Sequence, residues 1–162
     1  MVWFDMEELG LLGSAKYIEN HGSDPIIGML NFDVNGYGDT VLFGPHHPAN
    51  HGLRHALGRT CLEQQRECVS FPRMPPGDDI SFTEAKIPTL SIGVLPALDV
   101  HQLWLLMNAK ESGLAQGFLP TAVRNVHSAE DTPAKLNPET MAQMIQLATS
   151  LVHDAATRPR RP

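Results

Sequence analysis

At 162 residues the chain is long enough for one domain, which at this size buries roughly two-thirds of its unfolded surface. An apolar share of 42% and a charged share of 19% are those of an ordinary globular protein, and no apolar run approaches the ~20 residues of a membrane helix. The net charge of −6 argues against a nucleic-acid surface, which needs clustered Lys and Arg, so neither nucleic acid nor membrane is an expected partner.

Val2, Trp3 and Phe4 form a short apolar run that reads as a buried strand. It leads into three acids, Asp5, Glu7 and Glu8, then Gly10 and a helical pattern. Carboxylates are costly to hold near a core unless a cation, a proton or hydrogen bonds compensate them. In open α/β sheets ligands gather beyond the carboxyl ends of strands, which makes Glu7-Glu8 a candidate metal site. The same pair equally suits a helix start, where acids favour the positive end of the dipole.

Leu9 to Asn20 then reads as a helix that stops at His21-Gly22. The near-continuous apolar run Ile26 to Phe32 suggests a second central strand, ending at Asp33. A turn at Asn35-Gly36-Tyr37-Gly38 and a strand Thr40 to Phe43 follow. Asp33 repeats the Glu8 arrangement, an acid just past a buried strand, although a turn-forming Asp is the commoner case.

Pro45 to Glu67 carries His46, His47, His51 and His55 and becomes helical near Ala49. His47, His51 and His55 share one helical face, a spacing that suits metal chelation and equally an ordinary wet face or cleft rim. Cys61 and Cys68 are too few for a disulfide framework; one bridge would need export, and two unrelated thiols are the commoner arrangement.

Cys68 to Phe71 and Thr89 to Ile92 read as strands, with Asp78-Asp79 between them. Val100, Leu103, Trp104 and Met107 make a helix face. After it, Gly113, Gly117 and Pro120 mark a long connection, either a substrate-selecting loop or simple packing. A lone His127 precedes the last helix, which Asn137 caps, Pro138 begins and Glu139 supports. Met141, Met144, Ile145, Ala148, Leu151 and Val152 give that helix its core face. Arg158, Arg160 and Arg161 end the chain, so residues 1–154 read as the domain and 155–162 as a disordered basic tail.

The stretch FDMEELGLLGSAKYIE, Phe4 to Glu19, resembles the Glu-Glu motif of the zinc aminopeptidase family that also contains glutaminyl cyclase. The resemblance implies that Glu7 is the general base and Glu8 a zinc ligand. Asn31, Asp33 and Gly36 match the family's Asn-x-Asp element, whose Asp binds the other zinc. An Asp-Asp pair also resembles the family's metal-bridging aspartate, but that element precedes the Glu-Glu pair. The better match for Asp78, Phe82, Ile87 and Pro88 is a later element, with Asp79 where His is usual and Lys86 where Gly is usual. On that register Asp78 belongs to a hydrogen-bond and proton network near the metals and is not a ligand. His127 with Asp131-Thr132 and Leu136 resembles the final His element, so His127 would share a zinc with Glu8. The family assigns no ligands to the histidines of residues 46 to 55.

Members of this family fold as a three-layer αβα sandwich with a mixed, mainly parallel sheet. Their first two metal residues, a His in His-x-Asp and the bridging Asp, lie upstream of the Glu-Glu pair, and no counterpart occurs here. The sequence therefore reads as the C-terminal portion of such a domain, lacking its N-terminal elements. The expected function is a zinc-dependent exopeptidase of aminopeptidase type, acting on peptides with two zinc ions in a complete site. The rivals are an inactive truncated remnant serving as a binding or structural module, and a glutaminyl cyclase-like acyltransferase with one zinc. Substrate preference, oligomeric state and compartment are not set by these residues; export would require an upstream signal segment.

Overall fold

Four short runs of mostly apolar residues pair into one sheet in this computed structural model, which describes residues 1–22, 25–108 and 119–157. The strands are β1 (Met29–Phe32), β2 (Thr40–Gly44), β3 (Cys68–Ser70) and β4 (Thr89–Leu95), in the order β1-β4-β2-β3. β1 runs parallel to β4 and β2 parallel to β3, whereas β2 and β4 are antiparallel. The sheet is thus mixed and mainly parallel. Every residue of β4 and β2 is buried, as expected of strands covered on both faces.

Helices cover both faces. They are α1 (Leu12–His21), α2 (His51–Glu63), α3 (Asp79–Glu84), α4 (Ala97–Met107), α5 (Thr121–Asn125) and α6 (Pro138–Thr157). Alternation along the strands divides the core in two. Val41, Phe43, Leu90, Ile92 and Val94 face α2 and α6, while Leu42 and Leu95 face α4 and α5. Leu57, Leu90, Leu147 and Leu151 are wholly buried, each stabilising the fold by about 2 kcal/mol relative to an exposed position. No helix among the described residues is long and apolar enough to cross a membrane.

Several sequence expectations change. Val2 to Phe4 is not a strand: Val2 and Trp3 are exposed, and an extended run is stable only where neighbouring strands pair its backbone groups. Phe4 alone is anchored, its ring 5.5 Å from Tyr17 and 5.8 Å from Phe82. The strand expected from Ile26 begins only at Met29 and lies at the sheet edge, half-buried throughout. Cys61 and Cys68 are not separate thiols; the return from α2 into β3 brings their Cα atoms to 6.3 Å and they form a disulfide.

The core face of α6 is rotated from its expected setting. Thr140, Met144, Leu147 and Leu151 are buried, while Met141, Ile145 and Val152 are exposed. Two contacts set that rotation: the Asn137 carboxamide oxygen accepts from Glu139 N at 2.8 Å, and Thr140 Oγ1 donates to Gly38 O at 2.8 Å. The helix continues to Thr157, beyond the boundary read at residue 154, and the tail arginines lie outside the described residues. So do Gly113 and Gly117 of the long connection.

Lys86 follows α3 with φ +64°, a left-handed conformation that costs a side-chain-bearing residue roughly 1 kcal/mol or more. Its amide still donates to Thr83 O at 2.9 Å, which closes the helix. Lys86→Gly relieves the local strain and adds unfolded-state entropy, so a net stabilisation of up to about 1 kcal/mol is expected. Urea midpoints of the two proteins measure it; an unchanged or lower midpoint would show that this turn is unstrained.

Candidate metal centre

Glu7 and Glu8 sit in a single 3-10 turn, Glu7–Leu9, at the mouth of α1. Glu7 O accepts from Gly10 N at 3.0 Å and from Leu11 N at 2.9 Å, which closes the turn. Gly13 lets α1 lie against the preceding segment, since a Cβ there would come within 2.4 Å of Asp5 O. The helix is then fixed to α3 by the buried Ser14–Ser81 hydroxyl contact of 3.0 Å and by stacking of Tyr17 on Phe82. Two neighbouring helices therefore hold the acidic turn in place.

Asp33 lies just past β1, where the extended chain continues along β4. Asp33 N donates to Ile92 O at 3.1 Å and Val94 N to Val34 O at 3.0 Å. Gly93 permits the approach, because a Cβ there would stand 2.9 Å from Asp33 O. Asp78 and Asp79 come from the start of α3. Asn31 donates to Ser91 Oγ at 3.4 Å, and Ser91 in turn hydrogen-bonds the Asp79 carboxyl. One oxygen of each of Asp78 and Asp79 is buried with no protein partner.

His127 arrives from the far end of the sequence. Buried Asp99 on α4 accepts from Ala122 N at 2.8 Å and Thr121 N at 3.3 Å, which caps α5. The chain then turns through Ser128 N to Asn125 O at 3.0 Å. This presents His127, whose Nε2 donates to Glu8 Oε1 at 2.6 Å across 119 residues of sequence. Nothing in the sequence pattern marks Asp99 or Ser91 as positioning residues; each reads as an ordinary polar residue in a helix or strand.

Backbone strain gathers here. Among the described residues, Met6, Leu11, Val34 and His127 all take positive φ and border or belong to the site. Such outliers persist where surrounding structure over-determines them, and they cluster at functional sites.

The electrostatics are those of acids short of positive charge. Burial, then the charges of Glu8, Asp33 and Asp78, push the Glu7 carboxyl above its ordinary value; His127 opposes them. Asp33 reaches solvent at its surface, yet the surrounding protein desolvates it and raises its carboxyl, with Glu8 and Asp78 adding and the Val34 amide opposing. Asp79 is raised by burial against the Ser91 hydrogen bond. The hydrogen bond and charge of Glu8 raise His127.

Of the residues singled out by the sequence, Glu8 and His127 touch. Glu7 lies within the electrostatic reach of both, Asp33 within that of Glu8, and Asp78 within that of Glu7 and Asp33. Among the described residues no group of three or more His, Cys, Asp or Glu is placed to hold a metal ion. In kind the donors fit zinc, which takes imidazole nitrogen and carboxylate oxygen. In number, Glu8 and His127 offer two donors, against the three protein ligands usual at a catalytic zinc. His46 and His47 do not join them: His46 bonds Ser70 Oγ at 2.6 Å, and His47 Nδ1 accepts from Ala49 N at 3.1 Å.

Comparison with known proteins points the same way. The family model described as Peptidase family M28 matches residues 1–152. Proteins of Arthroderma benhamiae and Trichophyton verrucosum, each described as a probable leucine aminopeptidase, are 26% identical over 161 residues. The alignment covers 95% of this chain and 38% of each relative, so the chain spans under two-fifths of the curated relatives it matches. The structure of the Legionella pneumophila LapA aminopeptidase superposes with a TM-score of 0.68 at 20% identity, over 98% of this chain and 39% of that one. BSAP, a zinc aminopeptidase from Bacillus subtilis, gives a TM-score of 0.64 at 19% identity, over 94% and 34%. These likenesses confirm the three-layer α/β fold.

The shifts carry a sign that can be tested on the metal-free chain. All four groups have folded pKa values above their ordinary ones: 4.5 for Glu7, 3.8 for Asp33 and Asp79, 6.5 for His127. A raised folded pKa contributes stability below the unfolded value and loses it as pH rises through the folded one. Stability should therefore fall from about pH 4 toward pH 8 on account of these groups. Asp79→Asn should flatten that slope and raise the urea midpoint at pH 8. A steeper slope in the variant would contradict the burial cost assigned to Asp79.

Proposed function

Because the chain belongs to peptidase family M28, we propose that it carries the general base and part of the zinc-binding set of an aminopeptidase. The observation that supports this best is the Glu8–His127 contact, two donors of the right chemistry meeting across 119 residues. A proton now shared between imidazole and carboxylate is replaceable by a divalent ion, which neutral His and ionised Glu both ligate. On this reading Glu8 and His127 hold one zinc and Asp33 serves the other, with donors beyond these residues completing both. Zinc, when bound, supplies Lewis acidity to the scissile carbonyl and to the attacking water.

Glu7 performs the proton transfers. Its carboxylate takes a proton from water as the oxygen bonds to the peptide carbonyl carbon, then delivers it to the departing amine as the C–N bond breaks. A carboxyl raised by burial and by three neighbouring acids is a stronger base than an ordinary glutamate, which suits that task. Asp78 lies within the same field and serves the hydrogen-bond network around the site. The substrate is a peptide with a free amino terminus, attracted as a cation by the acidic cluster.

Zinc content and turnover separate these roles. In a protein in which those further donors complete the site, Glu7→Gln should leave zinc bound and lower hydrolysis of an aminoacyl p-nitroanilide by roughly 10²-fold or more. Glu8→Ala and His127→Ala should each lower zinc affinity by at least roughly tenfold. Loss of zinc in Glu7→Gln, or unchanged affinity in His127→Ala, would contradict the assignment. Cyclisation of an N-terminal glutaminyl peptide in place of hydrolysis would identify an acyltransferase.

A further inference from the structure

The exposed face of α2 carries a feature that the proposed catalytic chemistry does not use. We propose that His51 and His55 form a separate surface metal site, a two-histidine chelate for a late first-row divalent ion such as nickel(II) or copper(II). Both side chains are exposed on the first two turns of the helix, and their ring centres stand 5.4 Å apart. Histidines four residues apart on a helix share one face and chelate an ion between them. With metal–nitrogen bonds near 2.0 Å and cis ligands at about right angles, two ring centres end up about 4.5 Å apart. The observed pair needs only a small side-chain rotation to reach that separation.

The surroundings favour the pair and limit it to two ligands. A Cβ at Gly58, near the same face of the helix, would meet nothing within 4 Å, so the surface beside the pair is open. His47, next in the four-residue series, is held in the capping box of the Pro48–Asn50 turn, with Asn50 Oδ1 accepting from His47 N at 3.3 Å. His46 is engaged with Ser70. The His55 ring accepts from Arg59 Nη1 at 3.3 Å, a long bond, and Arg59 keeps Asp154 as a partner if the metal displaces it.

β2 runs opposite to β1, so the start of α2 lies at the sheet end away from Asp33, distinct from the Glu8–His127 contact. Imidazole donors suit nickel, copper and zinc, and copper(II) binds tightest by the general order of affinities. No acid belongs to the pair, so it binds metal without a base beside it.

Calorimetric titration of nickel(II) into the full chain tests the site, with His127→Ala as background to silence the other centre. His51→Ala and His55→Ala should each weaken binding at least tenfold, because either leaves a lone imidazole, and the double variant should bind more weakly still. His101→Ala, an exposed histidine on α4, should leave affinity unchanged. Nickel should raise the melting temperature of the background protein and not that of the double variant. Lowering the pH should weaken binding, because protons compete with the metal for imidazole nitrogen. Unchanged affinity in either single variant, or an equal loss in His101→Ala, would overturn the proposal. Both substituted side chains are exposed, so the metal-free variants should melt like the background protein.

Discussion

Carboxylates crowd at the carboxyl end of β1 with one imidazole to answer them, and the remaining architecture makes that crowding tolerable. Burial and the charges of Glu8 and Asp78 raise the proton affinity of Glu7 and Asp33, and Glu8 raises that of His127. Acids collected this way are stable only if something offsets their repulsion: a proton, a cation, or a rigid frame that holds them together regardless. All three elements are visible here. His127 bridges to Glu8, the raised Glu7 and Asp33 carboxyls favour protonation, and α1, α3 and the β1–β4 ladder fix the backbone.

The frame is built from contacts at a distance from the chemistry. Phe4, Tyr17 and Phe82 pack the acidic turn onto α3, and Ser14 meets Ser81 beneath it. Gly13 and Gly93 remove the two side chains that would force the acids apart. Asp99 ties α5 to α4 and so aims the turn that carries His127. Positive φ at Met6, Leu11, Val34 and His127 is the local cost of this aiming, borne by segments that the core holds in place.

Membership of peptidase family M28 was legible in the sequence because a Glu-Glu turn, an Asn-x-Asp step and a late His are local patterns. β2, β4 and α4 were legible because continuous apolar runs and helical spacing report burial directly. What failed depended on partners. Val2 to Phe4 has strand composition, but among the described residues no strand pairs with it. The Cys61–Cys68 bridge depends on how α2 returns to β3, which spacing alone does not encode. The face of α6 was misjudged because Met141, Ile145 and Val152 look like core in any helix, whereas Thr140 is buried by its bond to Gly38. Asp99 and Ser91 gave no signal, since positioning residues are recognisable only from what they touch.

The central claim is that Glu8 and His127 share a metal ion in place of a proton. Imidazole ¹⁵N chemical shifts of the protein during a zinc titration report on it most directly. The account predicts that the His127 nitrogens leave the protonated position and take the shifts of a neutral, metal-bound ring, and that Glu8→Ala abolishes the change. A His127 ring that stays protonated while zinc binds elsewhere would contradict it.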